Sequence, residues 1–161
     1  MQKLNVHLYT TPYCNLMCKH CYSAENNNRA VTLDIRKIKE VLSCLQRDYD
    51  VYFELEGGEL FISDMLPQLL EDLEEKALRR ITITTNATIY RKLKRTVLRN
   101  LQDFRISVEG HTDALQKELR GIPLTAIIGN IHKWINDGAD ICLRITLHKK
   151  NVSLIKEMID Y

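Results

Sequence analysis

Three thiols stand within eight positions, at Cys14, Cys18 and Cys21. Thiolates are soft ligands that select zinc or iron–sulfur centres, and gaps of three and two residues let one loop turn all three sulfurs to one point. Their number matters. A structural zinc site is closed by four ligands, whereas a cubane cluster held by three cysteines leaves one iron free to bind something else. The plainer alternatives are a set of free thiols, or a zinc site completed by a histidine. His20 is adjacent to Cys21 and cannot easily face the same ion, and no later Cys/His pair has zinc-ribbon spacing. Cys44 and Cys142 stand alone and read as small buried hydrophobes.

Further candidates fall after apolar runs. Gly57-Gly58-Glu59 offers a bare backbone that can be approached closely, beside a carboxylate that can accept from an ammonium group; taken alone, it reads more readily as a tight turn. Asn86 ends the run Ile81–Thr85, where it can serve as a turn residue. Ser107 and Glu109 close a fourth run, Arg120 follows in Leu119-Arg120-Gly121, and Arg144 lies within a fifth. An arginine inside a barrel must be paired, so a salt bridge from Arg144 to Glu54, Glu56 or Glu109 is its simplest reading.

The elements that must carry these residues alternate. Strands are predicted at Leu4–Tyr9, Val51–Glu56, Ile81–Thr85, Phe104–Val108 and Ile141–Leu147. Helices are predicted at about Leu33–Arg47 behind a Thr32 cap, after Ser63 or Asp64 on Leu66, Leu69, Leu70 and Leu73, and at about Tyr90–Leu101. A short helical piece at Asp113–Leu119 precedes a longer helix on Ile127, Ile131, Trp134 and Ile135 with Gly138 as its C-cap, and a last one begins near Leu154. Five strand–helix units imply parallel strands. Each strand is apolar on one face only, the other carrying residues such as His7, Glu54, Glu56, Arg105 and Arg144. A doubly wound sheet needs both faces apolar. The expected fold is therefore α/β: a parallel (βα)-repeat partial TIM barrel of about five units, with a polar lumen and its candidate residues on the C-terminal rim where such barrels bind ligands.

Composition sets the outer bounds. The 161 residues suit one domain spanning 1–161 and are too few for a full eight-stranded barrel of about 250 residues. A net charge of +2 gives no mandate for nucleic acid or anionic membrane, and the absence of a spanning run or signal peptide predicts a cytoplasmic protein. Five cysteines, three of them clustered, argue for a reducing compartment. Arg91, Lys92, Lys94, Arg95 and Arg99 face an acidic set at Glu71, Asp72, Glu74 and Glu75, and are expected to complement it rather than to bind nucleic acid.

The spacing C-x3-C-x2-C followed by Tyr22 resembles the signature of the radical S-adenosylmethionine (SAM) enzymes, and the resemblance extends over residues 4–161. It implies a [4Fe-4S] cluster on Cys14, Cys18 and Cys21 whose fourth iron is chelated by SAM, with Tyr22 beside the cofactors. Reductive cleavage of SAM, driven by an external flavodoxin- or ferredoxin-like electron donor, then yields a 5′-deoxyadenosyl radical that abstracts hydrogen from a substrate. By the same resemblance Gly57, Gly58 and Glu59 hold the methionyl amine, Asn86 belongs to a Thr-Asn-Gly-like strand end, Ser107 and Arg120 hold the carboxylate with Arg144 as a second candidate, and Glu109 approaches the ribose. Leu60, Ala87 and Glu109 stand where the family usually has proline, glycine and aspartate. Ser107-Val108-Glu109-Gly110 and His111 with Leu119-Arg120-Gly121 resemble the peptide- and protein-modifying (SPASM-type) branch, which implies a peptide or other small substrate. The family core has six units, so a domain incomplete at its C-terminal end is expected, self-associating or needing a partner through the open edge of strand five. A non-catalytic SAM-binding subunit and a zinc-stabilised domain are the other readings.

Overall fold

In the computed structural model, which describes residues 1–22 and 34–160, five strands form one open sheet. They are β1 (Lys3–Thr11), β2 (Asp50–Gly57), β3 (Ile81–Thr85), β4 (Asp103–Ser107) and β5 (Ile141–Arg144). Their order in the sheet is their order in the chain, and every pairing is parallel. The helices are α1 (Ile35–Asp48), α2 (Met65–Glu71), α3 (Glu75–Leu78), α4 (Arg95–Asn100), α5 (Asp113–Arg120), α6 (Thr125–Asp137) and α7 (Ile155–Asp160). This is the expected partial barrel, with α3 added.

Alternation along the strands decides which side is covered. Val51, Phe53 and Leu55 of β2, Ile81 and Ile83 of β3, and Phe104 and Ile106 of β4 are buried against Leu66, Leu69, Leu70, Val97, Leu98 and Ile127 from the helices. Trp134 of α6 sits among Phe61, Phe104 and Tyr90, with ring centroids 5.1–5.5 Å away. Burying side chains of this size contributes about 1.5–3 kcal/mol each, so this cluster anchors the helical layer to the sheet. The opposite face carries ion pairs: His7 Nδ1 lies 2.7 Å from Glu56, Arg105 lies 3.2 Å from Glu54, and Arg144 lies 3.7 Å from Glu56. The two charged helices complement each other at Lys94–Glu71, 3.1 Å, and Arg91 reaches Asp64 at 3.2 Å.

Several boundaries differ from the sequence reading, each for a local reason. Helix α1 is capped by Asp34, whose carboxylate accepts from Arg36 N at 2.9 Å and is held at a pKa of about 2 by that residue's guanidinium and backbone N–H. Thr32 and the polar stretch 25–29 lie outside the described residues. Helix α4 begins at Arg95 rather than near Tyr90, because the Arg91 carbonyl is taken by the Trp134 indole N–H at 2.9 Å. Strand β5 stops at Arg144 because Asn151 captures the Thr146 carbonyl and the His148 N–H and bends the chain away. Cys44 and Cys142 are exposed, contrary to expectation. Cys44 lies two positions beyond Leu42, which turns it off the buried stripe of α1, and Cys142 faces the lumen on the outermost strand. Gly138 caps α6 in the left-handed conformation, φ 103°, as expected.

Candidate functional site

At the C-terminal ends of the strands lies a cavity of about 300 Å³. The cysteine loop supplies Cys14, Cys18, His20, Cys21 and Tyr22 to its wall, and the strand ends supply Gly57, Gly58, Asn86, Ser107, Glu109 and Arg144, with Arg120 from α5. Residues proposed from six separate stretches of sequence thus meet in one place. The size falls at the lower end of small-molecule sites.

The cysteine loop is laced to the end of β2 through backbone. Gly58 N donates to Thr11 O and Glu59 N to Tyr13 O, both at 2.7 Å. A Cβ on Gly58 would stand 1.8 Å from Tyr13 O, and one on Gly57, at φ 141°, would stand 2.4 Å from Thr11 O. The glycines therefore let the cysteine loop itself lie against the strand end, besides lining the cavity. At the other side Lys19 N donates to Leu119 O at 3.2 Å, tying the loop to the end of α5.

Glu59 does not line the cavity. It is fully buried, with Oε1 accepting from Phe61 N at 3.0 Å and the Thr85 hydroxyl at 2.7 Å, and Oε2 accepting from Asn86 N at 2.8 Å. Burial pushes its pKa up, opposed by the hydrogen bonds from Thr85, Asn86 and Phe61. Its carboxylate splices the ends of β2 and β3, the two strand ends that flank the first cysteine.

Glu109 and Arg120 form a buried ion pair at 2.8 Å, with His20 Nε2 3.6 Å from the second carboxylate oxygen. Burial lowers the His20 pKa, with Glu109 opposing. Gln116 accepts from the N–H groups of both Glu109 and Gly110, at 2.9 and 3.1 Å, and Asn151 donates to Glu109 O at 3.1 Å. These two buried amides hold the β4 end from opposite sides. Sequence reading missed them, since Gln116 and Asn151 look like ordinary polar positions until the chain is folded. His111 is not part of the cavity wall.

The thiols suit a metal cluster. Burial raises the pKa of Cys14 and of Cys18, Arg120 opposing the shift at Cys18. A metal charge is what would offset that desolvation and take the thiolate form. Among the described residues, ligand atoms of His7, Glu54 and Glu56 lie within 4.8 Å of one another, on the polar face of the sheet.

A parallel partial barrel with a three-thiol loop on its C-terminal rim defines a class of cofactor-dependent protein, and sequence comparison resolves which one. The chain belongs to the radical SAM superfamily, which it matches over residues 8–161. It is 26% identical over 122 residues to the antilisterial bacteriocin subtilosin biosynthesis protein AlbA of Bacillus subtilis, covering 76% of this chain and 24% of AlbA. It is 27% identical over 157 residues to the Fe-coproporphyrin III synthase of Methanosarcina barkeri, covering 93% of this chain and 38% of that protein. The Streptococcus suis SuiB structure bound to the precursor peptide SuiA superposes with a TM-score of 0.84 at 21% identity, over 99% of this chain and 36% of SuiB, and the S-adenosylmethionine-bound form with 0.74. The chain thus spans about a quarter to two-fifths of these relatives. No described helix is long and apolar enough to cross a membrane.

Proposed function

We propose that residues 1–161 form a radical SAM core domain that binds a [4Fe-4S] cluster and SAM, and that serves an enzyme modifying a peptide. When bound, these groups supply reductive cleavage of SAM to methionine and a 5′-deoxyadenosyl radical for hydrogen abstraction, the electron coming from a flavodoxin- or ferredoxin-like donor. The observation that carries the reading is the shared cavity, in which Cys14, Cys18 and Cys21 face Gly57, Gly58, Ser107 and Arg120 across the strand ends.

The roles implied by the family resemblance are supported by where these side chains stand. The three cysteines lose their protons and hold the cluster. Gly57 and Gly58 present backbone to the methionyl amine, and Arg120 and Ser107 present donors to its carboxylate, the Arg120 Nε being buried and without a partner among the described residues. Glu109 orients Arg120 and would face the ribose, while Arg144 and Tyr22 line the cavity with them. Glu59 acts from beneath by fixing where Gly58 and Asn86 stand. A peptide substrate is favoured by the relatives: one serves bacteriocin biosynthesis and another is seen with its precursor peptide.

Anaerobic reconstitution with iron and sulfide tests this reading. The expected result is a brown protein with iron and sulfide in equal amounts, an EPR signal of the reduced form that SAM perturbs, and 5′-deoxyadenosine under dithionite. Cys14→Ala, Cys18→Ala and Cys21→Ala should each abolish the colour, while Cys44→Ala and Cys142→Ala keep it. Stoichiometric zinc with no sulfide, or colour surviving in Cys18→Ala, overturns the assignment.

A further inference from the structure

We infer that the side-chain amide of Asn86 sets the redox poise of the site by donating a hydrogen bond to the Cys14 sulfur, a role separate from any contact with SAM. The inference rests on the reading of Cys14 as a cluster ligand.

Asn86 is buried at the end of β3, and its backbone N–H is fixed by Glu59. Its amide can point only one way. The Thr88 backbone N–H lies 2.9 Å from one amide atom and can only donate, so that atom is the oxygen; the Thr88 hydroxyl donates to it as well, at 2.5 Å. The NH2 end therefore faces the cysteine loop, 3.7 Å from Cys14 Sγ and 3.0 Å from Asn15 Oδ1. Asn15 donates to the Thr88 hydroxyl at 2.8 Å, which closes a ring of side chains around the amide. From α6, Asn130 Nδ2 binds the carbonyls of Ala87 and Thr88 and holds that loop from behind.

Cys14 Sγ also accepts from Leu16 N at 3.4 Å, so two N–H groups converge on it, whereas Cys18 Sγ faces the carbonyl oxygen of Arg120 at 3.9 Å. Reduction adds negative charge to a cluster and its thiolates. Donors aimed at a sulfur stabilise the added charge, and hydrogen bonds to the sulfurs are among the determinants of cluster potential. Asn86 is the side-chain member of the Cys14 pair, and hence the one substitution can remove.

The test is an anaerobic spectroelectrochemical titration of the reconstituted chain. Asn86→Asp keeps the shape and the acceptor for Thr88 but replaces the donor with an oxygen facing the sulfur. At a fixed potential its reduced-to-oxidised ratio should fall about tenfold, equivalent to about 59 mV for one electron. Asn86→Ala removes the donor without adding charge and should lower the ratio about threefold; it serves also if aspartate repels the cluster. Asn130→Ala loosens the same loop without touching a sulfur and should titrate as wild type. A loaded Asn86 variant that titrates as wild type, or an Asn130→Ala shift of equal size, overturns the inference alone. A wild-type chain that takes up no iron and sulfide removes the underlying reading, and the inference with it.

Discussion

The carboxylate of Glu59 binds Asn86 across two strand ends, its Oε2 lying 2.8 Å from the Asn86 backbone N–H. Two strands 27 residues apart in sequence are thereby locked at the point where each meets the cysteine loop: Glu59 through its N–H on Tyr13 O, and Asn86 through its amide on Cys14.

Glu59→Ala leaves the N–H groups of Phe61 and Asn86 and the Thr85 hydroxyl without their acceptor in a buried setting. The expected loss is about 3 kcal/mol or more by chemical denaturation. Its raised pKa also gives a pH signature. The native state binds the Glu59 proton more tightly than the unfolded chain does, so this group's contribution is complete below its ordinary value of 4.5 and is lost as pH rises through the folded pKa. The stability gap between wild type and Glu59→Gln should therefore narrow from acid to neutral pH. A gap that widens over that range would show that the hydrogen bonds outweigh the desolvation.

Gly58→Ala puts a methyl group into the Tyr13 backbone and must displace the cysteine loop. A loss of about 1–3 kcal/mol, with a fall in reconstituted iron, is expected. Gly129→Ala is the control, since among the described residues nothing beyond its own helical turns lies within 4 Å of its new Cβ in α6. That substitution should instead stabilise by up to about 1 kcal/mol with iron content unchanged.

Ala87 holds φ 61°, a conformation glycine adopts without strain. Ala87→Gly relieves this at the cost of a small buried methyl, so a net gain of about 1 kcal/mol, or roughly 2–4 °C in Tm by calorimetry, is expected. A fall in Tm would mean that the packing of the methyl dominates.

Glu109→Gln and Arg120→Gln each leave a buried charge without its counter-charge and should each cost about 3–5 kcal/mol. The double variant should be less destabilised than the sum of the singles by more than 1 kcal/mol. Additive losses in a double-mutant cycle would show that the two side chains act independently.

Strand and helix order, the parallel topology and the one-sided apolar pattern were legible because they depend on local periodicity. Val51, Phe53 and Leu55 alternate with Tyr52, Glu54 and Glu56 whatever the rest of the chain does, and five such runs separated by helical stripes leave few alternatives. The cysteine loop was legible for the same reason: three ligands within eight positions need no long-range information to converge. Strand ends could also be named, since in a parallel sheet the C-terminal rim is a property of chain direction.

What the sequence left open were the partners each polar side chain finds through space. Glu59 stands beside two glycines in sequence, yet its carboxylate turns inward to Thr85 and Asn86 because three donors there would otherwise be buried unpaired. Gln116 and Asn151 carry no local mark, and only the fold brings both to the backbone of Glu109. Helix α4 lost its first turn to Trp134, 43 positions away, and β5 its last residues to Asn151. Local pattern determined which elements this chain forms and which rim they share. The tertiary structure decided which polar groups are satisfied by one another and which remain turned toward the cavity, because hydrogen-bond satisfaction in a buried site is a condition on the whole fold and not on any one stretch of sequence.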